Sequence, residues 1–384
     1  MERIVILGGG FAGLTAATEL DPLAASGKAQ VTLVERGTHF RMGFTKQWVL
    51  DGRRRPDEGR RPYASFRARH VAFLHDAIAR IDTARKTVHL KSRHLEYDHL
   101  VVALGAELAP ELLPGLAEGA YDLFDDDAIP TLKAAVEGMA GGTLLVAVAS
   151  VPFKCPPAPY EYALLLDDIL RRRRAREAVR LLLTTPEPQP MPAAGKAVGE
   201  QVRALLAERG IDLETQHTPK AVDAATRVVT YANGAKVPYG ILAAIPPHRA
   251  PKVVRDAGLT DASGFVPVEL GTFRAPAADV YAVGDVAAIK LPGGGPHPKA
   301  GVFAEAQALA LARALAARVA SVEPAEYAGK GVCYVEVGRG MAAPTEISLL
   351  ESGGPRARMD APSVAGLAAK AEFERERFSR WFGG

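Results

Sequence analysis

The sequence predicts an α/β protein with two Rossmann-like dinucleotide-binding domains, the second lacking a glycine fingerprint, and a smaller C-terminal α+β region. Three observations carry this. Arg3–Leu7 (RIVIL) is an apolar run leading through Gly8-Gly9-Gly10-Phe11-Ala12-Gly13 into a helix rich in alanine and leucine. A second strand–turn–helix begins at Thr143–Ala149 (TLLVAVA), but its turn holds prolines and Cys155 and no glycine. Through the rest of the chain apolar strands alternate with helical patterns, the arrangement of parallel sheets. The expected boundaries give a discontinuous first domain, 1–107 and 248–320, a second over 108–247 and a C-terminal one over 321–384.

Each element has a local reason. In G-x-G-x-x-G, Gly8 allows a tight turn, Gly10 lets the backbone approach a pyrophosphate and Gly13 lets helix pack on strand, with Phe11 and Ala12 completing the loop. Val31–Val34 is the next strand. Glu35 ends it, followed by Arg36, where an acid accepts hydrogen bonds from a ribose hydroxyl. Thr38–Tyr63 has few helix or strand signals and a basic cluster (Arg53, Arg54, Arg55, Arg60 and Arg61), which reads as a solvated loop in preference to a phosphate or anion site. Val71–Tyr97 reads as short hairpin strands returning the chain to the first sheet at Leu100–Gly105 (LVVALG).

In the second domain, strands near Val179–Leu183, Ile211–Leu213 and Arg227–Tyr231 alternate with helices. Arg171–Arg174 close the helix after the cysteine, where cations complement the dipole. Val280–Gly284 (VYAVG) is a short strand ending at Asp285, and a long helix follows from Gly301 to Val319. Beside the N-terminal motif, Asp285 is suited to the hydroxyls of a flavin nucleotide. Lys299 and the helix N-terminus are suited to the negative edge of its ring. Gly331–Val337 (GVCYVEV) is a strand carrying Cys333. Ala371–Phe382 is a short amphipathic helix whose apolar side fits ordinary packing, although a second subunit or a membrane surface would also accept it.

Composition narrows the function. At 384 residues the chain has room for two or three domains, and a net charge of +3 creates no field for nucleic acid. No run approaches the ~20 apolar residues of a spanning helix. Met1 runs almost directly into a strand, so cytoplasmic residence is expected, with any membrane contact peripheral. Two cysteines make no disulfide framework, and no metal site is expected. They are either inert core or a redox pair. The position of Cys155, between Lys154 and Pro156 at the mouth of a parallel sheet, favours redox chemistry, because ligands bind at strand tips. Lys154 is expected to favour the thiolate.

Together these residues resemble the two-dinucleotide-domain flavoproteins of the glutathione-reductase superfamily. More narrowly, they are similar to the branch of sulfide:quinone oxidoreductases and the flavin subunit of flavocytochrome c sulfide dehydrogenases. The likeness rests on GGGFAG with Glu35, LVVALGAE, PFKCPPAPYEYA, VGD with PKAG after it, and CYVEVG, and spans nearly the whole chain. It implies FAD as cofactor, a redox pair of Cys155 and Cys333 with Cys333 nearer the flavin, and Glu161 as the active-site glutamate. It also implies a small sulfur substrate, a quinone or cytochrome c-type acceptor, and a homodimer. The third cysteine of many quinone-linked members is absent. Glu161 would act as a base with its proton affinity raised by burial. Two readings compete. A type-II NADH:quinone oxidoreductase would need glycines where VAVASVPFKCPPAP stands, and a flavin-bearing binding or signalling module would show no turnover.

Overall fold

A computed structural model describes residues 1–320 and 323–383. Residues 321 and 322, where the sequence places the last boundary, and 384 lie outside the described ones. Five parallel strands form the first sheet, in the order Val280–Ala282, His99–Val102, Glu2–Leu7, Ala29–Glu35 and Ala72–His75. Glu2–Leu7 sits centrally, and Ile4, Ile6 and Leu7 are fully buried, as a strand covered on both faces requires. Helix Phe11–Ala25 follows it and packs on helix Gly301–Val319. The N-termini of both helices therefore open at the C-terminal ends of the strands.

A second parallel sheet runs Tyr121–Asp122, Ile241–Ile245, Gly142–Val148, Val179–Thr184 and Asp212–Glu214. Leu144, Leu145, Val146 and Val148 of its central strand are fully buried. Helix Ala158–Arg172 crosses from that strand to the next and packs against strand Lys330–Gly338. This contact brings the second sheet to the C-terminal region. There Lys330–Gly338, Met341–Ser348 and Arg356–Met359 form an antiparallel sheet.

Helix Val364–Phe382 ends the chain, capped by Ser363, whose hydroxyl accepts from the Gly366 N–H at 3.0 Å. It is longer than the expected 371–382 element, and packing on its own chain accounts for its apolar side. Trp381 meets Phe11 and Phe40 edge-on with ring centroids 5.5 and 5.3 Å apart. Such pairs contribute about 0.5–1.5 kcal/mol each beyond the area they bury.

The reading of Thr38–Tyr63 as a solvated loop is corrected. Strand His39–Arg41 pairs with Arg60–Pro62, and helix Thr45–Leu50 between them buries Trp48, Val49 and Leu50. Arg54 Nη1 reaches Glu374 at 2.8 Å, and Arg53 pairs with Glu336. Two of the five charges, Arg53 and Arg54, have partners near the other end of the chain, while Arg55 and Arg60 are exposed as expected.

Candidate active site

One cavity of about 890 Å³ runs from the N-terminal glycine turn to the two cysteines. At its first end, Gly8 has φ +101°, and a Cβ there would lie 2.5 Å from the Ala103 carbonyl oxygen. A Cβ at Gly13 would lie 1.7 Å from the Gly8 oxygen, so helix and strand meet too closely for any side chain. Gly10 differs, with nothing within 4 Å of its missing Cβ, and it faces the cavity with Phe11 and Ala12. The Glu35 carboxylate accepts from Gly9 N–H at 2.7 Å and Gly37 N–H at 2.6 Å, which fixes it at the wall beside Arg36. A carboxylate has about four acceptor sites, so lone pairs remain for hydroxyls. Gly105 lies along the same wall.

Gly284 and Asp285 form the next part. Gly284 has φ +77°, and its N–H donates to Gln307 Oε1 at 2.8 Å. Asp285 lines the cavity, and its buried Oδ1 has no hydrogen-bond partner. Burial pushes its carboxyl above the usual range, with Lys299 and Lys154 opposing. Lys299 is buried too. Its ammonium donates to the carbonyls of Asp285 and Ala287 at 2.7 and 2.9 Å and sits 3.7 Å from the Phe265 ring centroid, so its donors point at backbone.

Cys155 and Cys333 are both free, and both line this cavity. Cys155 adopts φ +58°, a left-handed conformation that costs a non-glycine residue about 1–2 kcal/mol. Its N–H donates to the Lys299 carbonyl at 2.7 Å, so segment 296–300 closes over the turn. Burial, then the nearby Glu161 charge, pushes both thiols up, Cys333 to about 12. Lys154 and Cys155 do interact, but Cys155 is the least of the charges acting on the lysine. Burial lowers that lysine, and its Nζ lies 5.3 Å from the Phe124 ring centroid. The lysine that favours both thiolates is Lys370.

Glu161 stands in the first turn of helix Ala158–Arg172, 1% exposed, within the same cavity wall. It is no isolated carboxyl in an apolar hole. Oε1 accepts from Lys370 Nζ at 2.8 Å and from Glu336 N–H at 2.9 Å, and Oε2 accepts from Gln47 Nε2 at 2.8 Å.

Residues 2–146 match the family model for pyridine nucleotide-disulphide oxidoreductases, and residues 130–246 match that for the central part of the flavocytochrome c sulfide dehydrogenase flavoprotein chain. A sulfide-quinone reductase of Aquifex aeolicus is 28% identical over 360 residues, covering 88% of this chain and 81% of that one. The chain is similar to the sulfide:quinone oxidoreductase and sulfide dehydrogenase branch of these flavoproteins. A mitochondrial sulfide:quinone oxidoreductase of Dictyostelium discoideum is 27% identical over 304 residues, 74% of this chain, and the match spans 65% of that relative's length. The solved sulfide:quinone oxidoreductase of Aquifex aeolicus shares the fold, with a TM-score of 0.85, 23% identity, and coverage of 99% of this chain and 91% of that one.

FAD is the cofactor of this branch, and the residues present fit it. The Gly10 approach, the lone pairs on Glu35 and the unpartnered Asp285 oxygen would hold its pyrophosphate, ribose and remaining hydroxyls. The fold brings Cys155, Cys333 and Glu161, the three residues that the sequence resemblance singled out, to one cavity.

Residues absent from the sequence reading complete the site. Lys370 Nζ also donates to Gln47 Oε1 at 2.7 Å and Glu336 Oε2 at 3.0 Å, and Glu336 accepts from Trp48 Nε1 at 3.0 Å. A signal for Lys370 was available. It occupies the buried stripe Gly366, Lys370, Phe373 and Glu374, where an amphipathic helix normally places apolar residues. Among the described residues no group of three or more His, Cys, Asp or Glu could hold a metal ion, and no helix is long and apolar enough to cross a membrane.

Proposed function

We propose that this chain is an FAD-dependent oxidoreductase that oxidises sulfide through Cys155 and Cys333 and passes the electrons to a quinone or cytochrome-type acceptor. The observation that carries this is the meeting of the two free thiols and Glu161 on the cavity that also contains Gly10 and Asp285. Residues 1–107 and 248–320 would form the FAD-binding unit, 108–247 the second domain and 321–384 the C-terminal one.

From the oxidised pair, hydrosulfide bonds one cysteine sulfur and breaks the S–S bond. That leaves a persulfide on one cysteine and a thiolate on the other. Bound FAD supplies a two-electron acceptor and carrier. The chain manages charge. The Glu161 carboxylate opposes a neighbouring thiolate, so a proton moving from sulfur to Glu161 leaves the cavity's net charge unchanged. Lys370 stays held by Glu336 and Gln47 when Glu161 is neutral. The second crevice disfavours NADH as electron donor, because Phe153 and the prolines around Cys155 stand where a pyrophosphate needs bare backbone.

The test is anaerobic addition of sulfide to the yellow holoprotein, which should bleach its visible band. Cys155→Ser and Cys333→Ser should each retain FAD and lose the bleaching. Bleaching retained in both variants would show that electrons do not pass through the pair. Turnover against quinones and cytochrome c then identifies the acceptor.

A further inference from the structure

A second cavity, of about 290 Å³, adjoins the first at Cys333, and of the two cysteines only Cys333 reaches its wall. Its volume is about ten times the ~30 Å³ that a water molecule occupies. Hydrosulfide, with one heavy atom, needs no such space. The wall is almost wholly apolar, built from Pro152, Phe153, Pro186, Met191, Phe303 and Ile347 among others. Prolines recur along it, and their fixed φ keeps the shape formed before anything binds. Val151, Pro188, Pro192 and Pro296 at the wall are exposed, so the space communicates with solvent.

The few polar side chains are already engaged. Glu187 Oε2 accepts from Tyr160 Oη at 2.7 Å. His297 is bonded through Nε2 to Tyr327 Oη at 2.6 Å and through Nδ1 to the Pro298 carbonyl at 2.8 Å, and burial holds it neutral, down to about 4. The Lys299 ammonium points to backbone carbonyls, as above. Among the described residues that line this cavity, no cation is therefore free to hold the carboxylates or sulfonate of an anionic thiol.

We propose that this cavity binds a thiol bearing an apolar organic substituent, presents its sulfur to Cys333, and makes such thiols substrates of the cysteine pair. This rests on the redox reading of that pair. The thiolate RS⁻ bonds Cys333 sulfur of the oxidised pair. The Cys155–Cys333 bond breaks, its electrons remain on Cys155, and Cys155 takes up the thiol's proton. A second thiolate attacks the R-bearing sulfur, R–S–S–R leaves, and Cys333 keeps the electron pair and is protonated. Two thiols become one disulfide, the cysteine pair becomes two thiols, and the pair is reoxidised along the path proposed for sulfide.

The test uses the holoprotein under anaerobic stopped flow with hydrosulfide, ethanethiol, butanethiol, hexanethiol and 2-mercaptoethanesulfonate. The second-order rate of bleaching should rise about fourfold per added methylene until the cavity is full, with the sulfonate slowest. Ala193→Trp, at the wall, should bring the hexanethiol rate down to that of ethanethiol. Independently of turnover, hexanol should slow alkylation of Cys333 by iodoacetamide, read by mass spectrometry. Bleaching by hydrosulfide with no dependence on chain length overturns this inference and leaves the sulfide reading intact. No bleaching by hydrosulfide or by any thiol overturns both.

Discussion

Lys370→Met tests whether one buried ammonium holds the site together. The substitution keeps the length and apolar contacts of the side chain and removes three donated hydrogen bonds, at 2.7, 2.8 and 3.0 Å. Glu161 and Glu336, each 1% exposed, then lose their shared counter-charge. Breaking a buried pair from one side costs about 3–5 kcal/mol, because the stranded charge remains desolvated. Here Glu336 keeps Arg53 and Trp48, and Glu161 keeps Gln47 and a backbone N–H, so the low end, about 3 kcal/mol, is expected. At ~2.1 cal/mol/K per residue the unfolding entropy of 384 residues is about 0.8 kcal/mol/K, which converts the loss to a Tm drop of about 4 °C. Adding Glu161→Gln removes one stranded charge and should restore at least half of the loss. Thermal unfolding of the wild type, both single variants and the double variant gives the coupling directly. A Lys370→Met cost below about 1 kcal/mol, or additive singles, would refute the argument.

Two further outcomes follow from the same geometry. Burial pushes Glu187 from 4.5 up to about 7, so between those values the native state holds a proton that the unfolded chain has released. Stability therefore falls as pH rises through that window and is flat above it. Glu187→Gln, which keeps an acceptor for Tyr160, should gain up to about 3 kcal/mol at pH 8 and nothing at pH 4, and parallel stability–pH curves would count against this. Asp285→Ala removes the buried oxygen that has no partner within the chain, so the FAD dissociation constant measured by fluorescence titration should rise about 10–100-fold, while an unchanged constant would separate Asp285 from the cofactor.

The sequence made the two sheets, the glycine turn, helix Gly301–Val319 and the cysteine turn legible because each is encoded within about thirty residues by periodicity and turn chemistry. Its failures share a physical cause. Arg53 and Arg54 looked solvated because Glu336 and Glu374 lie 283 and 320 positions away, and no local pattern announces a partner at that distance. Lys154 is a lesser thiolate partner than its place beside Cys155 suggests, because adjacency in sequence is not adjacency of side chains. Its backbone pairs with Lys299 while its ammonium turns toward Phe124. Lys370 supplies that charge from the C-terminal helix, across the whole fold.

Cys155 offers a way to separate chemistry from backbone strain, since its φ of +58° is a glycine conformation occupied by a thiol. Cys155→Ala and Cys155→Gly remove the same sulfur, but only glycine relaxes the left-handed turn. That relaxation is worth about 1–2 kcal/mol, offset by about 0.5–1 kcal/mol for the extra freedom glycine has when unfolded. Cys155→Gly should therefore be more stable than Cys155→Ala by about 0.5–1 kcal/mol, in denaturant unfolding with FAD bound. The Cys155 N–H to Lys299 carbonyl bond at 2.7 Å survives in both, so the difference reports the dihedral strain less the glycine offset and no lost hydrogen bond. Equal stabilities would mean that the strain is no more than about 0.5–1 kcal/mol, which is what glycine loses through its freedom when unfolded, and so below the left-handed cost argued above. A clear gain for glycine would mean that the chain keeps a strained cysteine where its parallel sheet would otherwise favour glycine, as expected if sulfur at that strand tip is what the second crevice is for.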